Sequence, residues 1–271
     1  MEPKLAIVAG GGELPWLLRE ACRTIGRDAL FLALNGEVEE RRLPAPDAWL
    51  KLGSWGKNLD YLHTNGVKEL VFAGSVRRPD LKNLNPDSRG VGFLARVGMG
   101  WLGDNSILTS VLKELEHEGF RVISPDSLLH KFLSREGSYS QRRPSEGEWK
   151  DIRRGMEVIR TIGGQDIGQA VVVQNGIVLA VEAAEGTDEM LRRSKKLIEP
   201  GKGGVLVKFP KPGQDRRVDL PTIGIGTVEA AYQAGLAGIA VEVGGALIIR
   251  PDETKCLADK TGIFLIGVKG D

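Results

Sequence analysis

Apolar residues in the first half of the chain fall alternately into short continuous runs and helical stripes. Leu5–Ala9 is apolar throughout and ends on Gly10-Gly11-Gly12, which predicts a buried strand entering a glycine turn. Residues 13–25 then place Leu14, Leu17, Leu18, Cys22 and Ile25 on one stripe with Gly26 as a stop, the pattern of an amphipathic helix. The same reading predicts strands over 28–34, 49–52, 69–73 and 121–123, and helices over 57–65 and 105–118. The second of these helices carries Ile107, Leu108, Val111, Leu112 and Leu115 on its apolar face. Strands alternating with helices imply a parallel sheet with helices on both faces.

Residues 134–149 lack any apolar period and read as a linker between domains spanning 1–134 and 150–271. Beyond it a helix is predicted over 151–162. Strands over 170–173 and 177–183 flank Gln174-Asn175-Gly176, a strong hairpin signal. Helices over 188–197, 228–234 and 253–261 alternate with strands over 204–208, 239–243, 247–250 and 264–268. The fold class is therefore α/β in both domains, with a mixed arrangement in the second.

Charge removes one class of function. Lys plus Arg is 37 and Asp plus Glu is 36, so no basic surplus exists to neutralise a nucleic-acid backbone. The two cysteines, Cys22 and Cys256, stand far apart and form no CxxC, which predicts two buried thiols and no zinc ribbon. Three scattered histidines disfavour a His-rich metal site. No apolar run reaches the roughly 18 residues of a membrane helix, and Glu182 and Glu242 interrupt the two best stretches. The N-terminal apolar run is too short for a signal peptide. A soluble protein is expected, at most resting on a membrane surface. Glycine is in surplus, 36 of 271 residues, pointing to tight turns or close backbone approaches.

Five stretches carry candidate chemistry. Gly10, Gly11 and Gly12 allow backbone N–H groups to approach a phosphate at a helix N-terminus, with a plain tight turn as the alternative. The dinucleotide fingerprint is incomplete: Pro15 stands where a third glycine belongs, and the second strand runs into Asn35-Gly36 rather than an acid, so NAD is disfavoured. Gly74-Ser75-Val76-Arg77-Arg78-Pro79-Asp80 follows the fourth strand, where open α/β sheets bind ligands; its arginines suit a phosphate, or the segment is a solvated turn. Gly103-Asp104-Asn105-Ser106 reads first as an N-cap. Glu182, Glu185 and Asp188 sit at a strand-to-helix junction, where they could hold a hard divalent cation or complement a helix dipole. Residues 208–224 combine Pro210, Pro212 and Pro221 with Lys208, Lys211, Arg216, Arg217, Asp215 and Asp219. Water attack on phosphorus needs a base or a metal plus cations facing the developing charge, and this loop offers both; the alternative is a surface loop with weak ion pairs. A glycine-studded apolar stretch, Val91 to Leu102, reads as a core helix, with acyl-chain or membrane contact as the alternative.

Taken in order, Ala9-Gly-Gly-Gly-Glu-Leu-Pro15, Phe72-Ala-Gly-Ser-Val-Arg-Arg-Pro-Asp80, Gly103-Asp104, Asp166-Ile-Gly-Gln169, Val181-Glu-Ala-Ala-Glu-Gly-Thr-Asp188, Met190-Leu-Arg-Arg193, Lys208-Phe-Pro-Lys-Pro212 and Arg217-Val-Asp-Leu-Pro-Thr-Ile-Gly224 resemble the UDP-2,3-diacylglucosamine pyrophosphatases of the LpxI type. The resemblance covers nearly the whole chain. It implies a Rossmann-like N-terminal domain, a C-terminal domain of unusual fold, which the pattern above reads as smaller and mixed α/β, and substrate held between them. It implies hydrolysis of UDP-2,3-diacylglucosamine to UMP and 2,3-diacylglucosamine 1-phosphate (lipid X) in lipid A biosynthesis, by Mg²⁺-assisted water attack at the α-phosphorus.

On this reading Asp219 is the metal ligand or general base, with Glu182, Glu185 and Asp188 as further carboxylates near the metal. Lys208, Lys211 and Arg217 stabilise the phosphates. Gly10, Gly11, Gly12, Ser75, Arg78, Asp104, Thr187 and Thr222 contact substrate. The expected location is the cytoplasm, at the cytoplasmic face of the inner membrane, and a homodimer is the expected assembly. Two other classes compete: a nucleotide-dependent oxidoreductase, which lacks the acid after the second strand, and a non-catalytic nucleotide-sugar binding protein, which would release no UMP.

Overall fold

The computed structural model describes residues 2–40, 44–77, 84–97, 104–201 and 203–270. The chain divides into two units, Met1–Leu129 and His130–Asp271, each with its own sheet. In the first unit the strands are β1 (Leu5–Ala9), β2 (Ala29–Leu34), β3 (Ala48–Leu50), β4 (Glu69–Ala73) and β5 (Arg121–Val122), and the helices are α1 (Leu14–Thr24), α2 (Trp55–Thr64), α3 (Ser88–Val97) and α4 (Asp104–His117). The sheet order is β3-β2-β1-β4-β5 and all its pairings are parallel. That is the order of the first five strands of a doubly wound dinucleotide-binding sheet. β1 is buried at every position, as a central parallel strand covered on both faces must be. α3 takes up the first part of the glycine-studded apolar stretch; residues 98–103 lie outside the described residues.

The second unit contains β6 (Gly137–Ser138), β7 (Ala170–Gln174), β8 (Ile177–Val181), β9 (Val205–Lys208), β10 (Thr222–Ile223), β11 (Gly238–Glu242), β12 (Leu247–Ile248) and β13 (Phe264–Val268). Its helices are α5 (Glu146–Gly163), α6 (Thr187–Ser194), α7 (Ile225–Ala234) and α8 (Pro251–Thr261). A six-stranded mixed sheet runs β6-β13-β11-β9-β7-β8, and β10 pairs with β12 in a two-stranded parallel ribbon. Alternation along the strands divides the core in two. Val171, Val173, Val205 and Val207 meet Ile152, Met156 and Ile159 of α5. Val172, Ala180 and Leu206 pack with Met190 and Leu191 of α6 and with Val228 and Ala231 of α7.

The structure corrects three expectations. Residues 134–149 are not a free linker. Tyr139 N–H donates to Leu265 O (2.8 Å), Ser140 Oγ accepts from Leu265 N–H (2.8 Å), and Ser134 exchanges backbone hydrogen bonds with the 244–246 turn. Polar side chains erased the apolar period there because they bond to backbone inside the fold. The second unit is consequently the longer of the two, not the smaller. Third, Cys22 is buried but Cys256 is exposed, because α8 turns Thr254 and Ala258 inward instead. Among the described residues no helix is long and apolar enough to cross a membrane.

Candidate active site

Lys208 ends β9, where the chain's alternation directs its side chain to the same face as Leu206, toward α6. In the register of the sheet it lies beside Ala170, whose carbonyl accepts from the N–H of Glu182 (2.9 Å). Glu182, Ala170 and Lys208 thus form one row across three strands, and Glu182 shares the parity of the inward-facing Ala180. Both charged side chains are buried, and Thr187, the first residue of α6, links them. Lys208 Nζ donates to Thr187 Oγ1 (3.0 Å) and to Thr222 O (3.2 Å); the Thr187 hydroxyl in turn donates to Glu182 Oε1. Glu182 Oε2 accepts from the Gln169 N–H (3.1 Å).

The loop after β9 carries the other candidates and is closed on itself by Gln214. Its Oε1 accepts from the Lys211 N–H (2.7 Å) and its Nε2 donates to Asp219 O (2.9 Å). Burial pushes the Asp219 carboxyl above the usual range, against the opposing pull of Lys211, Lys208 and a hydrogen bond from Gln214. Burial pushes the Lys208 ammonium down, against the attraction of Glu182, Asp188 and Asp219. A carboxyl and an amine displaced toward each other by burial are the acid–base groups expected of a reaction centre. The same loop's Arg217 is held bidentately by Asp215, with Nε–Oδ1 at 2.9 Å and Nη2–Oδ2 at 2.7 Å. The Lys211 ammonium is paired with Asp166.

Of the four carboxylates expected around a metal, Glu182, Asp188 and Asp219 act on the Lys208 ammonium, and they do not combine into a metal site. Among the described residues no three His, Cys, Asp or Glu side chains form a metal-holding group. Glu185 is drawn away by Arg193 (2.7 Å), which holds its carboxyl below the ordinary range, and Asp188 is exposed in the first turn of α6. Glu182 is committed to Gln169 and Thr187, and the position a cation would take beside it is held by the Lys208 ammonium. A protein-built carboxylate cage therefore does not fit these residues.

In the first unit the glycine turn and the end of β4 are laced together by backbone. Gly10 N–H donates to Ala73 O (2.8 Å), Gly11 N–H to Ser75 O (2.7 Å), and Ser75 N–H back to Gly11 O (3.0 Å). A Cβ at Gly10 would stand 2.4 Å from Ser75 O, so glycine is required here by the approach of two loops. The amides of Gly10 and Gly11 are thus consumed within the protein, contrary to their expected turn toward a phosphate; Gly12, at φ +89°, has open space around it. Ser75, whose side chain lies against Gly11, is exposed, and Arg77 is drawn to Glu37 (3.3 Å). Arg78 and the Asp104 side chain lie outside the described residues.

Of the residues named from the sequence, the fold brings Lys208, Lys211, Asp219, Thr187 and Glu182 together with Thr222. Sequence reading gave no role to Gln169, Gln214 or Asp166. Two of these are amides, whose residue type carries no signal of chemistry.

Family models agree with this division of the chain: the LpxI N-terminal domain matches residues 4–132 and the LpxI C-terminal domain residues 135–266. The UDP-2,3-diacylglucosamine pyrophosphatase LpxI of Caulobacter vibrioides (strain ATCC 19089 / CIP 103742 / CB 15) is 40% identical over 272 residues, covering 98% of this chain and 97% of that protein. With both family domains matched in order and a relative aligned end to end, this chain belongs to the LpxI family.

Proposed function

We propose that this protein is an enzyme that hydrolyses the diphosphate of UDP-2,3-diacylglucosamine, the substrate in the name of its Caulobacter relative, in lipid A biosynthesis. Water attacks the α-phosphorus, the bond to the bridging oxygen breaks, and UMP and 2,3-diacylglucosamine 1-phosphate leave. The observation that carries this reading is the gathering of Lys208, Lys211 and the half-buried Asp219 by β9 and by the loop that Gln214 closes after it, where desolvation raises the Asp219 carboxyl. Asp219 takes a proton from the attacking water. Lys208 and Lys211 face the charge that develops on the phosphoryl oxygens, in surroundings dry enough to strengthen their effect. Thr187 fixes the Lys208 ammonium and thereby its direction.

Magnesium is commonly bound through one or two carboxylates together with the substrate's own phosphates. Were Mg²⁺ bound, Asp219 and the diphosphate would hold it and it would supply charge neutralisation, with Asp219 then its ligand instead of the base and no protein cage needed. Val91, exposed on α3, offers apolar surface to acyl chains or to the cytoplasmic face of the inner membrane.

Chromatography of UDP-diacylglucosamine digests with Mg²⁺ or with EDTA tests the reaction, and hydrolysis in H₂¹⁸O tests its geometry. The label is expected in UMP. Label in the sugar phosphate would place attack at the β-phosphorus and reject the mechanism.

A further inference from the structure

The turn between α5 and β7, Asp166-Ile-Gly-Gln169, meets Lys211, Glu182 and Gln214 of the reaction centre and has no role in it so far. Its carboxylate pairs with the Lys211 ammonium, both side chains being largely buried. Its Gln169 amide N–H binds Glu182 Oε2 (3.1 Å), its Gln169 carbonyl accepts from Phe209 N–H (3.0 Å), and its Gln169 Oε1 accepts from Gln214 Nε2 (3.4 Å). Gly168 lies so close to Glu182 that a Cβ would stand 2.0 Å from the Glu182 carbonyl. On the preceding turn, a Cβ at Gly163 would meet Pro212 at 2.7 Å and the Lys211 Cα at 3.2 Å. Asp166 itself sits at φ +55°, a left-handed conformation that disfavours most side chains.

From this geometry we infer that Asp166 is a positioning residue for Lys211, and that the 166–169 turn is the bracket on which the reaction centre is assembled. The inference rests on the proposed role of Lys211 at the phosphates. A lysine on a loop has four rotatable side-chain bonds and is a poor electrostatic device unless both ends are held. Here Gln214 holds the Lys211 backbone N–H and Asp166 holds the ammonium. The ammonium so placed acts on Asp219, whose carboxyl it draws toward the charged form. Asp166 touches neither water nor substrate in this scheme and acts only through the lysine.

The test is a double-mutant cycle on UMP release, using Asp166→Asn, Lys211→Met and the double variant. Asparagine adopts positive φ as readily as aspartate, so Asp166→Asn removes charge while keeping the turn. The expected result is a loss of about 10- to 100-fold in kcat/KM for Asp166→Asn, the scale of a misplaced group, with a lowered but still cooperative melting curve. The double variant should be no slower than Lys211→Met alone. Multiplying losses, or wild-type kinetics in either single variant, would overturn the inference. A wild-type protein that releases no UMP would reject the proposed function. The positioning role is then decided by a crystal structure of Asp166→Asn: a displaced Lys211 ammonium upholds it, and an unmoved one overturns it.

Discussion

Lys208 shows how a single charged side chain is kept in a fold's interior. Its ammonium is buried, so it must be hydrogen-bonded or lose its proton, and Thr187 with the Thr222 carbonyl meets that need. Replacing Thr187 by Val leaves the ammonium short of an acceptor and Glu182 short of a donor. A loss of about 1–3 kcal/mol is expected in urea unfolding, together with slower UMP release. Lys208→Met should behave differently. Removing the cation leaves the buried Glu182 carboxylate uncompensated, so stability in urea should fall by about 3–5 kcal/mol, more than for Thr187→Val, while kcat falls about 10²-fold or more. Asp219→Ala should reduce turnover by about 10²–10⁴-fold, with substrate still bound in a titration by calorimetry. Near-normal turnover would remove Asp219 from the mechanism. Lys208 and Asp219 were legible as chemistry because charges between prolines are unusual. Their mutual effect was not, because burial is a property of the folded chain.

At the level of elements, two aspartates join segments that no periodicity connects. Asp87 lies just before α3; its Oδ1 accepts from Gly90 N–H (2.7 Å) and its Oδ2 from Gly56 N–H in the first turn of α2 (2.9 Å). Burial alone would raise its pKa, but bonds from Gly90, Gly56 and Lys57 outweigh it and bring the carboxyl below its usual range. A carboxyl depressed on folding stabilises above its unfolded pKa of about 3.9 and loses that contribution as pH falls through the folded value. The gap in urea midpoint between wild type and Asp87→Asn should therefore be constant from pH 7 to 5 and narrow below about 4. Losing a cap of this kind amounts to about 1 kcal/mol at neutral pH. Asp151 does the equivalent in the second unit, accepting from both Asn175 N–H (3.0 Å) and Gly176 N–H (2.6 Å) from within α5. Those two residues have φ of 52° and 78°, the twist that a two-residue hairpin requires. The hairpin was legible from Asn-Gly between two apolar runs. The clamp was not, since an aspartate on a helix gives no sign of which turn it will meet. α5 also begins at Glu146, ahead of the start at 151 that its apolar stripe predicts, because Ser145 and Glu148 form a capping box that starts the helix on polar residues.

For the molecule as a whole, the boundary between units falls at residue 129 rather than within 134–149. Each unit encloses its own sheet, so a chain of residues 130–271 should fold with a single cooperative transition. A chain of residues 150–271 lacks β6, the Ser134 and Ser140 bonds, Arg142 on Glu148 (2.6 Å) and the cap of α5. At about 1 kcal/mol for each hydrogen bond lost, that removes several kcal/mol, a large share of a domain's stability. Thermal unfolding of the two fragments checks this, and equal melting temperatures would restore the linker reading.

The sequence by itself determined where apolar runs and glycine stops make local elements. β1, β4 and β13 run over the residues their patterns predict, since a buried strand is written in consecutive side chains. It also determined which loops concentrate charge. Only the tertiary structure decided which charges meet. Lys208 reaches Thr187 across 21 positions and Lys211 reaches Asp166 across 45, and hydrogen bonds between distant segments leave no period in either. β6 and β10, each two residues long, are strands only because β13 and β12 lie beside them. Likewise Gly10, which with Gly11 and Gly12 suggested a phosphate cradle, is held with Gly74 by the approach of two backbones that become neighbours only when β1 and β4 pair.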